Sequence, residues 1–445
     1  MGKYLHNVDI VETMTDQDFL MGFAGNIPVK IHLENLKKTL VENNDLYLQQ
    51  VAFFIDINEP GDTALSVNVG GNREMFKAWE ALIEGGVLNQ EGNWSPLSRV
   101  DNRYFADGSQ AVDLETREPM PGISDCNFVS RIPQTGCYVQ TIEMGGKTIN
   151  RLWLSLLPLP GWQEPAQMVG MFKGWVDGNG RLRSVPNKAP TRSRTVQSFW
   201  DAAQNYGEDY GLAGVYFRNF LLWYMMAKYG QRGSQECKLE DGTPVWGVGL
   251  DGSESATATD QYTIPTGATL ILGTQDGKVG VRDSQDALCH SVKVAAFENP
   301  WGQFWEFDGH LCSFDTDVFA WRENFMPSSA APVKSDFASV KTMLLKRHTA
   351  TITSNEKMNI ITGPEQGVFM FPYATQSGIS YGDRYFYGAN GQVWLWGGHS
   401  ENGADCGLAY SASIFAWTSS GSYLGARLAY FGPVHQVTGR DLLGS

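Results

Sequence analysis

The feature that most constrains the fold is a recurring pattern of short alternating runs broken by turn-forming dipeptides. Tyr138–Ile142 and Arg151–Leu157 alternate in this way, and so does Gly170–Val176, which turns through Asp177-Gly178-Asn179-Gly180 into Arg181–Val185. Period-two alternation places successive side chains on opposite faces of a strand, and Asp-Gly or Asn-Gly pairs favour tight hairpins. On the same grounds Asp276-Gly277 is expected to be a hairpin turn, and RYFYGANGQVWLWGG is expected to pair its two aromatic runs across Asn390-Gly391. No repeat at a solenoid or propeller period is visible, so the strands belong to sheets rather than to an array.

Helical periodicity is confined to a few segments. Leu33, Leu36 and Leu40 recur at helical spacing, and Met75, Phe76, Trp79, Leu82 and Ile83 form a stripe ending at Gly85-Gly86. Thr195–Asn205 carries Val196, Phe199, Trp200 and Ala203 on one face, and Val215–Tyr229 is apolar nearly all round, which predicts burial on more than one side. The fold class is therefore α+β. The polar, Pro- and Gly-punctuated stretch from Gly108 to Asp125 is the expected boundary. It separates a small mixed N-terminal module for attachment or oligomerisation (1–118) from a second domain (119–445).

Charge excludes several partners. Lys and Arg number 34 against 48 Asp and Glu, for a net −14, which lacks the electrostatic footprint needed for nucleic acid or anionic membranes. Arg181, Arg183, Lys188, Arg192 and Arg194 form the one basic cluster, expected to be a solvated strand and loop. The apolar run Phe220–Ala227 is far shorter than the ~20 residues that span a bilayer, so no membrane insertion is expected. Six scattered cysteines show no zinc spacing and predict reduced, buried thiols. The N-terminus has no secretory pattern, and His6 stands where a myristoylation motif requires Ser or Thr, so the chain is expected to be made in a cytoplasm.

Motifs for catalysis are weak. Gly378-Ile379-Ser380-Tyr381-Gly382 satisfies G-x-S-x-G, but it leads into an alternating strand pattern and lacks the helix a nucleophile elbow requires. Calcium loops beginning at Asp177 or Asp251 fail because their sixth positions are Leu182 and Ala256. Asp315 and Asp317 read as a solvated pair. Glu298, Glu306, Asp308 and Asp315 supply carboxylates, yet sequence cannot set two of them at the ~5–10 Å that glycoside cleavage needs. No metal site and no cofactor are expected.

Residues 397–425, GGHSENGADCGLAYSASIFAWTSSGSYLG, hold six Gly, six Ser, two Tyr and no Lys or Arg. Small adaptable residues mixed with rigid aromatics are the make-up of a paratope, and an ordinary Gly/Ser loop has the same composition. Here the chain resembles the variable proteins of diversity-generating retroelements, particularly phage tail proteins with a C-type-lectin-like domain related to the formylglycine-generating enzyme. The resemblance runs in order through RLWLSLLPLPGW, GRLRSVPNKAPT with TVQSFWDAAQNYG, DYGL with AKYGQRGSQ, FENPWGQFWEFDG, and WLWGGHSENGADCGLAYS with LGARLAY. It covers roughly the last 330 residues, and the first ~110 match nothing comparable.

The resemblance implies a C-type-lectin-like fold, with two helices packed on short, mostly antiparallel strands, rich in loops. It also implies a non-catalytic receptor-binding protein of a phage tail tip, on the virion or alternatively a bacterial cell surface, which binds a host-surface protein or glycan. The variable, ligand-contacting positions it implies are His399, Ser400, Glu401, Asn402, Asp405, Tyr410, Ser411, Ala412, Ile414, Phe415, Ser419, Gly421 and Tyr423. Trp394, Trp396, Gly397, Gly398, Cys406, Gly407, Gly425, Arg427 and Leu428 would be scaffold, with Trp417. In such families adenine-directed change of Asn codons cannot yield Lys, Gln, Met, Trp or Glu; no Lys, Gln or Met occurs between Gly397 and Tyr430, Trp417 would be frame, and Glu401 departs from that pattern. Neither E-P-N nor W-N-D, the tripeptides typical of calcium-dependent sugar binding, is present. The enzyme branches need a C-terminal cysteine pair or an H-x-x-x-H-x-E cluster, and the chain has neither. Tail-tip attachment proteins are commonly trimeric, so a homotrimer is expected. A structural virion protein and a sugar-cleaving tail enzyme remain the alternatives.

Overall fold

A helix that lacks a polar stripe must be covered on every side, and Val215–Tyr229 lies at the centre of the molecule with every residue from Val215 to Ala227 buried. It stops at Gly230, whose left-handed conformation (φ 61°) lets its N–H close on the Met226 carbonyl. Phe217 meets Phe297 at 4.7 Å between ring centroids, and Phe220 meets Trp79 at 5.4 Å. The computed structural model describes residues 19–24, 27–32, 44–58, 66–250, 258–315, 317–327, 331–337, 343–346, 385–389, 391–403 and 406–444. Among them, no helix is long and apolar enough to cross a membrane.

The fold is mixed α+β, with strands predominating. One five-stranded sheet runs Trp162–Glu164, Thr135–Met144, Lys147–Ser155, Phe53–Asn58, Val69–Gly71. A seven-stranded sheet runs Tyr210–Leu212, Leu428–Tyr430, Gln167–Gly170, Asn127–Ile132, Glu84–Leu88, Asn93–Pro96, His435–Gln436. Both sheets cross the boundary expected near residue 118. Phe53–Asn58 pairs with Lys147–Ser155, Glu84–Leu88 with Asn127–Ile132, and Asn93–Pro96 with His435–Gln436 near the C-terminus. The strands between Phe53 and Pro96 thus belong to the same sheets as strands after residue 119, and the polar stretch links them while burying Ala111, Val112 and Ile123. It is held by local turns such as Asp113, whose Oδ1 accepts from the Glu115 and Thr116 N–H groups.

The expected helices at Val196–Gln204, capped by Thr195, and at Arg73–Ala81, capped by Asn72, are present. Gly85 and Gly86 do not end the second one. They lie in strand Glu84–Leu88, where a Cβ on Gly86 would come within 2.1 Å of the Trp94 indole nitrogen. The leucine stripe at 33–40, the G-x-S-x-G stretch and the Asp251 loop fall outside the described residues.

Two hairpin expectations are corrected. Gly277 begins strand Gly277–Arg282, and the turn to Leu288–Val294 is instead built on Asp283, whose Oδ1 accepts from the Gln285 and Ala287 N–H groups. A 3-10 turn (Ala268–Leu272) precedes Asp276 where a hairpin would need a strand, and the Asp276 carboxylate accepts from the Tyr224 and Tyr229 hydroxyls. The two aromatic runs flanking Asn390-Gly391 do not pair with each other. Ser411–Phe415 inserts between them, parallel to Tyr385–Tyr387 and antiparallel to Val393–Trp396.

Candidate ligand-binding face

The frame of the face is the third large sheet, ordered Met343–Lys346, Asp317–Ala320, Trp305–Phe314, Val393–Trp396, Ser411–Phe415, Tyr385–Tyr387, with Leu424–Gly425 running parallel to Trp305–Phe314. Every residue of Val393–Trp396 is buried. The Trp396 indole donates to Asp308 Oδ2 at 2.6 Å, and the Trp394 ring stacks on Tyr385 at 5.6 Å. The chain leaves this strand through Gly397 and Gly398, with φ of 88° and 75°. A Cβ on Gly398 would lie 2.6 Å from Cys406 Sγ and from the Tyr410 ring, so the second glycine is required by close approach as well as by conformation.

Beyond these glycines, His399, Phe415 and Tyr423 converge. The imidazole stacks on Tyr423 at 5.2 Å and 29°, and Phe415 reaches Tyr423 at 6.0 Å. Asn402 Oδ1 accepts from the His399 N–H at 2.8 Å and fixes the loop. His399 Nδ1 accepts from the Glu401 N–H, so the Tyr262 hydroxyl 3.1 Å away donates to it as well. Burial holds the His399 pKa below its ordinary value, with Glu401 opposing. Burial thus favours the uncharged ring, and with Nδ1 accepting, its proton lies on Nε2 while the ring stacks on Tyr423. Glu401 and Ile414 are exposed, and Asn402, Phe415, Ser419, Gly421 and Tyr423 are half-buried.

Four of the expected contact residues do not reach the surface. Ser400, Tyr410, Ser411 and Ala412 are fully buried. Strand Ser411–Phe415 has neighbours on both edges and is covered on both faces until Ile414, which is 41% exposed. Tyr410 packs on Trp305 at 4.6 Å and on Phe386 at 5.8 Å. Ser400 is buried, and its backbone N–H donates to the Gln303 carbonyl at 3.2 Å. Asp405 lies outside the described residues. All the expected scaffold positions, from Trp394 to Leu428, are buried, as is Trp417.

Sequence reasoning missed two contributors. Tyr262 arrives from a segment far away in the chain, and Arg192 lies over its ring at 4.9 Å while donating to the Ser422 carbonyl at 3.3 Å. No local pattern announces either contact. The other members of the basic cluster are engaged by neighbours: Arg181 and Arg183 by Asp125 and Asp177, Lys188 by Glu118, and Arg194 by Ser198.

Behind the face, one buried carboxylate collects three cations. Glu306 meets Lys173 at 2.7 Å, Arg218 at 2.8 Å and Arg427 at 2.9 Å, and all four side chains are at most 3% exposed. Burial alone would raise the Glu306 pKa, but Arg427, Lys173 and Arg218 outweigh it and hold the group well below the usual carboxylate range. Arg427 also donates to the carbonyls of Gly170, Met171, Glu298 and Asn299. It thereby ties the C-terminal strand to the strands beneath the face.

The other candidate carboxylates serve the frame. Glu298 accepts from the Gly267 and Thr269 N–H groups, each at 2.8 Å. Burial pushes the Asp308 pKa up to about 7 against the N–H groups of His310 and Trp396. Asp317 pairs with Lys334 at 2.6 Å. All six cysteines are free and buried, and among the described residues no group of three His, Cys, Asp or Glu side chains is placed to hold a metal ion. No protein-family model and no curated protein matches the chain.

Proposed function

We propose that the protein is a non-catalytic ligand-binding protein, a phage tail-tip adhesin whose C-terminal region has a C-type-lectin-like fold. Its exposed face is rewritten by a retroelement to fit host-surface proteins or glycans. The observation that carries this reading is the separation of roles within one short segment. His399, Phe415 and Tyr423 cluster at the surface and Glu401 and Ile414 are exposed, while the Trp394–Gly398 and Gly425–Leu428 stretches that hold them are buried. Binding sites benefit when rigid elements position aromatic anchors, because little ordering cost remains at association. The buried engagement of Glu298, Glu306 and Asp308 supports a role without catalysis.

The burial pattern narrows the variable set. Diversity at Ser400, Tyr410, Ser411 and Ala412 would disturb packing, so the rewritten positions are the exposed and half-buried ones.

The decisive experiment is genomic. A near-copy of the DNA for residues 397–430, differing mainly at adenines and lying beside a reverse transcriptase gene, is expected; its absence would reduce the reading to a lectin-like binding domain without diversification. A homotrimer on the virion would add avidity to weak contacts. Light scattering of the full chain checks this, and a monomer at micromolar concentration contradicts it.

A further inference from the structure

A recess elsewhere in the chain shares no residue with the face. It encloses about 540 Å³, within the roughly 300–1,000 Å³ of small-molecule sites. Its floor comes from the seven-stranded sheet, where Arg131 stands opposite Met168 and Gln436 opposite Trp94. Tyr216, His310, Arg322 and Phe431 complete the wall.

Two guanidiniums line this recess, and their situations differ. Arg322 is clamped by Glu164 at 2.5 and 2.9 Å and lies between Trp162 at 4.3 Å and Tyr216 at 4.1 Å. Its charge is matched and its fork is used, so it acts as a rigid wall. Arg131 has no hydrogen-bond or ion-pair partner for its side chain among the described residues. Glu84, opposite it on the neighbouring strand, interacts with it only through the electrostatic field. His310 is buried, its Nδ1 is 2.9 Å from the Trp321 carbonyl, and its ring stands 5.5 Å from both Tyr216 and Phe431.

A guanidinium whose planar fork is unengaged, in a recess walled by aromatic rings, fits a carboxylate with two parallel hydrogen bonds, with Glu84 across the strand offsetting part of its charge. One such cation suits a single negative charge; a phosphate dianion would keep an unmatched charge. Gln167 and Gln436 both donate and accept, which suits hydroxyl groups. The apolar ring faces of Trp94, Tyr216 and Phe431 suit a flat C–H surface. We propose that this recess binds a sugar carboxylate of the uronic acid type, with the carboxylate on Arg131, hydroxyls on Gln167 and Gln436, and the pyranose ring against the aromatic wall.

The test titrates the full chain with glucuronate, glucose and benzoate, read by calorimetry and ligand-observed NMR. Glucuronate is expected to bind more tightly than either of the others. Arg131→Gln should weaken it about tenfold or more while leaving glucose nearly unaffected. Gln436→Glu, on an exposed side chain whose change leaves the fold intact, should weaken glucuronate several-fold by repulsion, which keeps the proposal testable if Arg131→Gln misfolds. Phe415→Ala, on the other face, should leave this binding unchanged. Absence of glucuronate binding, equal affinity in the wild type and the Gln436→Glu variant, or benzoate binding as tightly as glucuronate would each overturn the proposal.

Discussion

Replacing Glu306 with Gln keeps the side chain's shape but removes the counter-charge that the buried Lys173, Arg218 and Arg427 share. Their carbonyl partners remain: Phe304 for Lys173, Pro300 for Arg218, and Gly170, Met171, Glu298 and Asn299 for Arg427. Those dipoles cannot replace a full charge at 2.7–2.9 Å. Breaking a single buried ion pair costs about 3–5 kcal/mol, and here three cations depend on one anion, so that range is a floor. An unfolding entropy of about 2.1 cal/mol/K per residue gives about 0.9 kcal/mol/K for 445 residues, so the melting temperature should fall by about 3–5 °C or more. Calorimetry on purified protein measures it. In Glu306→Gln/Lys173→Met only two cations remain, and part of the loss should return. A melting temperature within about 1 °C of wild type for Glu306→Gln would refute the argument that this carboxylate holds the frame together.

Three further outcomes are expected. Changing His399, Phe415 and Tyr423 together to Ala removes stacking contacts of about 0.5–1.5 kcal/mol each, so the melting temperature should drop slightly while attachment to host cells is lost; collapse of the fold would mean that these rings are core. Gly398→Ala forces a Cβ to 2.6 Å from Cys406 Sγ and the Tyr410 ring at φ 75° and should cost about 1–3 kcal/mol, which an unchanged melting temperature would refute. Burial lowers the pKa of Lys293 to about 7 and that of Lys173 to about 8, against 10.5. The unfolded chain then binds more protons above pH 7, so stability should rise with pH, until Cys126, Cys137 and Cys312, whose pKa values burial raises above 9.0, reverse the trend. Melting temperatures at pH 7, 8 and 9 check the rise, which should shrink in Lys293→Met; a fall across that window in the wild type contradicts it.

The helices were legible because their determinants are local. Thr195 and Asn72 cap the elements they precede, and the uninterrupted apolar surface of Val215–Tyr229 announced its burial. The Trp394–Gly398 and Gly425–Leu428 stretches, expected to be scaffold, are buried. Pairing was not legible, because a strand edge accepts whichever strand the rest of the chain brings to it. The aromatic runs around Asn390-Gly391 are separated by Ser411–Phe415, and the polar stretch after Gly108 joins two parts of the same sheets instead of dividing domains. Composition marked residues 397–425 as small and aromatic, but only the covering of Ser411–Phe415 on both faces decided that Tyr410 and Ala412 are core while Ile414 and Phe415 emerge. The same holds for Glu306, whose partners come from positions 173, 218 and 427, and for the Arg131 recess, lined by residues between Trp94 and Gln436. Local patterning set where the main helices lie; where the tight turns fall, which strands pair, which side chains face solvent and which charges meet depended on contacts between residues far apart in sequence.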